Sequence, residues 1–124
     1  MKLFLDDIRN PPDSSWVVVR SYQEAIDKLP QATIISLDHD LGTKEDGADV
    51  ADAIYKAVYL GQSKFPLVGI HSANPVGRAD IERIIRRAEE YAGCRMRLTE
   101  VEQEALGLGK PVPVLDYDPS ENES

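Results

Sequence analysis

The 124-residue sequence contains one cysteine, one tryptophan, two methionines and two histidines, and aromatic residues make up only 6% of it. A single thiol, Cys94, cannot close an internal disulfide, so the fold must rest on a packed core, and a reducing cytoplasm is the expected setting. No hydrophobic run approaches the ~20 residues of a spanning helix, and only Lys2 precedes the first short apolar run, so neither a signal peptide nor a membrane partner is expected. Positive charge is scarce too: 14 Lys and Arg face 22 Asp and Glu, a net charge of −8. That balance excludes broad non-specific DNA or RNA binding.

The charge is also uneven. Half of the net negative charge falls in the last nine residues, DYDPSENES, while six of the eight arginines crowd between residues 78 and 97. With Glu82, Glu89 and Glu90 interspersed, those arginines read as a solvated helix face, and a local phosphate-holding face is the alternative. The length suits one ordinary globular domain. The pattern divides it into a domain over residues 1–93, an appendage over 94–115 and an acidic flexible tail over 116–124. No internal repeat or low-complexity tract is evident.

Residues 2–6 (KLFLD), 16–20 (WVVVR), 33–38 (TIISLD) and 65–70 (FPLVGI) read as strands, apolar on consecutive positions as when both faces of a sheet are covered. Ser21 and Glu24 form a capping-box pattern that opens a helix to about Leu29, which Pro30 ends. A second helix spans 48 to about 60 on the stripe Val50, Ala53, Ile54 and Ala57, with Gly61 as its cap. Asn74-Pro75 starts the longest helix, whose stripe is Ile81, Ile84, Ile85, Ala88 and Tyr91. Thr99 and Glu102 would open a short helix to about Leu106, and the proline-rich KPVPVLDYDP is no central strand. Alternating strands and helices give an α/β, three-layer, mostly parallel sheet of about four to five strands. Such sheets take ligands outside the carboxyl ends of their strands.

Every cluster of chemically capable residues falls at those ends. Asp6 and Asp7 end one strand, Asp38, His39 and Asp40 another, and His71, Ser72 and Asn74 a third. Three carboxylates in one crevice repel strongly unless a cation compensates them, so Asp6, Asp7 and Asp38 read as ligands for Mg²⁺ (or Mn²⁺). A turn with capping carboxylates is the plainer reading of Asp6 and Asp7. Both histidines of the chain lie here, and two imidazoles flanking a phosphate suit general acid and base work, with Asp38 beside them. A histidine that only braces its loop against Asp38 or Asp40 is the competing reading. Ser72, Asn74 with its helix start, Arg78, Arg9 and Asp40 are candidate phosphate or substrate contacts. Against this, Asn74 would merely cap its helix, and Arg78 and Arg9 would merely pair with Asp80 and Asp13.

Taken in order, LFLDDIRNPP, WVVVRSYQEAI, ISLDHDLG with a later DG, and HSANPVGR resemble the cyclic-phosphate-processing receiver-like family, an offshoot of the receiver domains of response regulators, over residues 1 to about 91. The resemblance implies a flavodoxin-like receiver fold whose phosphorylation site is rebuilt into a pocket for cyclic phosphate ends. It matches Asp6 and Asp7 to the metal-binding acid pair, Asp38 to the phospho-accepting aspartate and Ser72 to the hydroxyl residue after the fourth strand. Two departures stand out. The stretch from Asp7 to Trp16 is too short for a crossover helix, so the first helix is missing or reduced to a turn. The usual lysine of the fifth strand has only Lys110 as a candidate, before Pro111 and with no apolar strand ahead of it.

Three functions fit. The first is a metal-dependent phosphoesterase on 2′,3′-cyclic phosphate ends of RNA or nucleotides, with Asp6, Asp7 and Asp38 on the metal and His39 and His71 as acid and base. The second is a receiver-like signalling module phosphorylated on Asp38. The third is a non-catalytic module that binds a nucleotide, an RNA end or a protein. A haloacid-dehalogenase-type phosphatase built on DHDLGT ranks below these, because that family's acid pair comes late in the chain.

Overall fold

A computed structural model of the chain describes residues 1–108. Lys110 and the acidic tail lie outside the described residues, as does all of KPVPVLDYDP. Four parallel strands, β1 (Lys2–Leu5), β2 (Trp16–Val19), β3 (Ile34–Leu37) and β4 (Leu67–Ile70), lie in the order β2-β1-β3-β4. Helices α1 (Tyr22–Lys28), α2 (Gly47–Tyr59) and α3 (Pro75–Ala92) alternate with them, and α4 (Glu100–Ala105) follows. The expected α/β sheet therefore forms, with no helix between β1 and β2.

Local chemistry sets the element ends. The Ser21 hydroxyl accepts from the Glu24 amide, Asn74 accepts from Val76 and Gly77, and Thr99 and Glu102 cap α4 reciprocally. Asp46 and Asp49 do the same for α2. Gly93 ends α3 at φ 72°, a left-handed conformation that suits a residue without Cβ. The α-helix ends at Lys28 with Leu29 as its cap, as expected, and Pro30 sits inside a 3₁₀ turn, Leu29–Gln31, that follows it. The strand expected from Phe65 starts only at Leu67, because Pro66 has no N–H to give a ladder.

Alternation along each strand divides the sheet into two unlike faces. On one face Leu3, Leu5, Val19, Ile35, Leu37, Val68 and Ile70 pack against Ala25 of α1, Val50 and Ile54 of α2, and Ile81, Ile85 and Ala88 of α3. Tyr91 is not part of that stripe. A 3.6-residue period carries Ala92 onto the core face, and Tyr91 is left 57% exposed against Tyr55 and Tyr59, with ring centroids 5.9 and 5.0 Å away. On the other face the strand register aligns Phe4, Ser36 and Gly69 in one row. That row is short of bulk, and α4 closes over its β4 end: a Cβ on Gly69 would meet Leu98 Cδ1 at 2.9 Å and Gln103 Oε1 at 3.0 Å.

The chain after α3 also covers the free edge of β4. The Val68 amide donates to the Met96 carbonyl at 2.7 Å and the Leu98 amide to the Val68 carbonyl at 2.8 Å, forming a parallel bridge between Val68 and Arg97 in the place of a fifth strand. Met96 is fully buried. Glu89 of α3 holds this segment, its carboxylate accepting from the Met96 and Arg97 amides and from Arg97 Nε. Burial raises the Glu89 pKa, but these hydrogen bonds and the Arg97 charge outweigh it and leave the group below its ordinary value. The Ile70 amide, buried at the same edge, donates to Gln103 Oε1 at 3.1 Å. Gln103→Leu leaves that donor unpaired and is expected to cost about 1–3 kcal/mol, read from the urea unfolding midpoint.

Candidate functional site

The row beyond Phe4, Ser36 and Gly69 on the same face is Asp6, Asp38 and His71, each two residues farther along β1, β3 and β4. The ladder extends one step past the strands to hold them, as the Asp38 amide donates to the Leu5 carbonyl and the His71 amide to Leu37, both at 3.0 Å. The His71 side chain folds back across β3. Its ring stacks on Phe4 with centroids 4.2 Å apart and planes 7° from parallel, Nδ1 meets Ser36 Oγ at 2.7 Å, and Nε2 meets Asp6 Oδ2 at 3.0 Å. The small side chain at Ser36 makes this possible, since a larger residue there would fill the space the imidazole crosses.

The result is a cluster in which one ligand-type atom each from Asp6, Asp38 and His71 lies within 4.8 Å of the other two. All three side chains are buried. Asp6 is well partnered: Oδ1 accepts from the Ile8 and Arg9 amides at 3.0 and 2.8 Å, and Oδ2 faces His71. Burial works against its charge, yet the hydrogen bonds from His71, Arg9 and Ile8 prevail and hold its pKa below the ordinary value. Asp38 has the opposite environment. It is 8% exposed and its carboxylate accepts no hydrogen bond among the described residues. Burial, reinforced by the Asp6 charge, pushes its pKa up to about 6, with His71 and Arg9 pulling the other way.

The remaining candidates lie around this core. Asp7 is outside the three-residue cluster; it adds a weaker repulsion at Asp38, and a Cβ on Gly42 would stand 3.4 Å from its Oδ2. His39 does not join His71. Its Nδ1 meets Asp40 Oδ1 at 2.8 Å and its Nε2 meets Asp46 Oδ2 at 3.3 Å, while its ring packs where a Cβ on Gly77 would be. Asn74 caps α3 and also donates from Nδ2 to Asp40 Oδ2 at 3.3 Å. The buried Ser72 hydroxyl accepts from the Asn74 amide at 3.1 Å. Arg78 turns back to donate to the Ile70 carbonyl at 2.9 Å and leaves Asp80 to Arg83. Asp13 accepts from the Ser15 amide, and the Arg9 charge is felt at Asp38.

The chain belongs to the cyclic-phosphate processing Receiver domain family, whose model matches residues 1–87. No curated protein and no solved structure matches it. For this cyclic-phosphate processing Receiver domain, the missing first helix is replaced by a loop with its own polar frame. Besides the Asp6 turn, Arg20 Nη1 donates to the carbonyls of Asp6 and Arg9, and its Nη2 donates to Asn10 Oδ1 at 2.8 Å. Arg20, Ser36 and Phe4 are site-building residues that sequence reasoning passed over. The available signals were a lone hydroxyl inside TIISLD and a basic residue closing WVVVR. Residues 95–98 at the fifth-strand place carry no lysine. The arginine face is largely neutralised: Arg83, Arg86, Arg95 and Arg97 all pair with acids, which supports the solvated reading. No helix among the described residues is long and apolar enough to cross a membrane.

Proposed function

We propose that the domain is a metal-dependent phosphoesterase that opens 2′,3′-cyclic phosphate ends of RNA or nucleotides. The observation that carries this reading is the buried Asp6, Asp38 and His71 cluster at adjoining strand ends of a cyclic-phosphate processing Receiver domain. An unpartnered carboxylate beside a second one is an unfavourable arrangement that a divalent cation relieves, and Mg²⁺ or Mn²⁺ would lend its charge to a phosphate oxygen. Opening the ring requires a water oxygen to attack phosphorus and the leaving ribose oxygen to take a proton. His39, less deeply placed than His71 and oriented by Asp40 and Asp46, carries that proton. Arg9, Arg78 and the Ser72–Asn74 start of α3 hold the phosphate from the side facing the cluster.

The test is hydrolysis of 2′,3′-cyclic nucleotides and cyclic-phosphate-ended RNA with Mg²⁺, Mn²⁺ or EDTA. Turnover is expected to vanish in EDTA and to fall about 10²–10⁴-fold in His39→Ala. Undiminished turnover in EDTA would overturn the metal-dependent reading, and full activity in His39→Ala would overturn the proton-transfer role. One observation favours a second function: Asp38, matched by the sequence resemblance to the phospho-accepting aspartate of receivers, is buried and accepts no hydrogen bond among the described residues. If the domain is a phosphoacceptor, acetyl phosphate or beryllofluoride modifies the wild type with Mg²⁺ and leaves Asp38→Asn unmodified.

A further inference from the structure

The reading above leaves the role of His71 open, and its surroundings define one. A ring that shuttles protons needs access and a nitrogen free to exchange, whereas His71 is 9% exposed, stacked on Phe4 and engaged at both nitrogens. Its immobilisation matches that of a metal-bound imidazole. Such a ring usually donates its other N–H to an oxygen that fixes tautomer and orientation. Ser36 Oγ, buried and 2.7 Å from Nδ1, is placed to accept that hydrogen and to leave the Nε2 lone pair facing the acids.

The donor atoms are spaced accordingly. With bonds of roughly 2.1 Å to nitrogen and oxygen, two ligands at right angles about one cation stand about 3.0 Å apart. Asp6 Oδ2 and His71 Nε2 are 3.0 Å apart. Asp38 supplies an independent indication, as a carboxylate more than nine-tenths buried, without a hydrogen-bond donor among the described residues, whose atom lies within 4.8 Å of both.

We propose that Asp6, Asp38 and His71 are the three protein ligands of a divalent-cation centre, with Ser36 orienting the imidazole and Asp7 outside it, and that the imidazole makes the centre select a Mn²⁺-like transition metal over Mg²⁺. This rests on the cation-dependent reading of the same cluster and deepens it. Imidazole suits transition metals, whereas Mg²⁺ strongly prefers oxygen, so the third ligand sets the preference.

The experiment is a titration of the full chain with Mn²⁺ and with Mg²⁺ by calorimetry, together with pulsed electron paramagnetic resonance of the Mn²⁺ form. The expected result is one Mn²⁺ site, at least about tenfold tighter than Mg²⁺, with ¹⁴N modulation from a bound imidazole. His71→Asn abolishes the modulation and weakens Mn²⁺ about tenfold or more, while Mg²⁺ binding changes little. Ser36→Ala keeps the ligands and weakens Mn²⁺ by about 10-fold. Mn²⁺ bound without ¹⁴N modulation, or Mg²⁺ bound as tightly as Mn²⁺, overturns the inference and leaves the cation-dependent function standing. Binding of neither cation overturns both. The wild-type spectrum decides the imidazole ligand even if a variant fails to fold.

Discussion

Asp38→Asn is expected to give a protein that, without a cation, is more stable than the wild type at pH 7, and to lack the phosphoesterase activity proposed above. The stability gain follows from the raised pKa. A carboxyl whose folded-state value is about 6 rather than the ordinary 3.8 prefers to be neutral in the native state. Its favourable contribution is therefore complete below about pH 4 and is lost as pH rises through 6, a difference of about 3 kcal/mol. Thermal melts of the two proteins are expected to coincide near pH 4 and to separate by several degrees at pH 7, with the variant higher. Asp6 has the opposite sign: its lowered pKa contributes stability above the ordinary carboxylate range that is lost as pH falls through its folded value. A wild type no less stable at pH 7 than Asp38→Asn would mean that Asp38 has a compensating partner. Adding Mn²⁺ is expected to reverse the order if the proposed ligand set holds, because only the wild type retains all three of its members.

Gly47→Ala carries the largest expected structural penalty. A Cβ at this first residue of α2 would lie 1.9 Å from the Asp38 carbonyl oxygen and 2.9 Å from its carbon, both backbone atoms that no rotamer change can move. The Gly47 amide also donates to the His39 carbonyl at 2.9 Å, so helix and strand end are joined where they would have to separate. The variant is expected to lose about 3 kcal/mol or more and, where folded, to displace both Asp38 and His39. Denaturant unfolding measures the first effect, and the amide and ring signals of His39 in NMR spectra report the second. This contact gives the DG of the sequence its physical meaning: Asp46 caps α2 and Gly47 lets the helix start against the strand end.

What was legible in the sequence is what local chemistry determines. Ser21, Asn74 and Thr99 announce their helices because a cap acts within three residues, and the polar ends of LFLDD, ISLDHD and GIHSANP mark the crevice because parallel strands all deliver their carboxyl ends to one side. Ser36 and Phe4 could not be found in this way. Their value depends on β1, β3 and β4 being neighbours in that order, so that an imidazole from β4 can pass over Ser36 to reach Phe4 and Asp6. The separation of His39 from His71 was equally hidden, since it results from Asp40 and Asp46 converging on one ring from two sides of a loop. The bridge at Arg97 depends on Glu89, which reads in the sequence as one more surface acid.

The wide spacing of Asp6, Asp38 and His71 along the chain has a kinetic consequence. Each follows a different strand, so the cluster is complete only when the β1–β3 and β3–β4 pairings have both formed. A partly folded chain has no complete centre and gains nothing from the cation. If the proposed cation binds, it would therefore act on the finished structure, slowing its unfolding while leaving the rate of folding nearly unchanged.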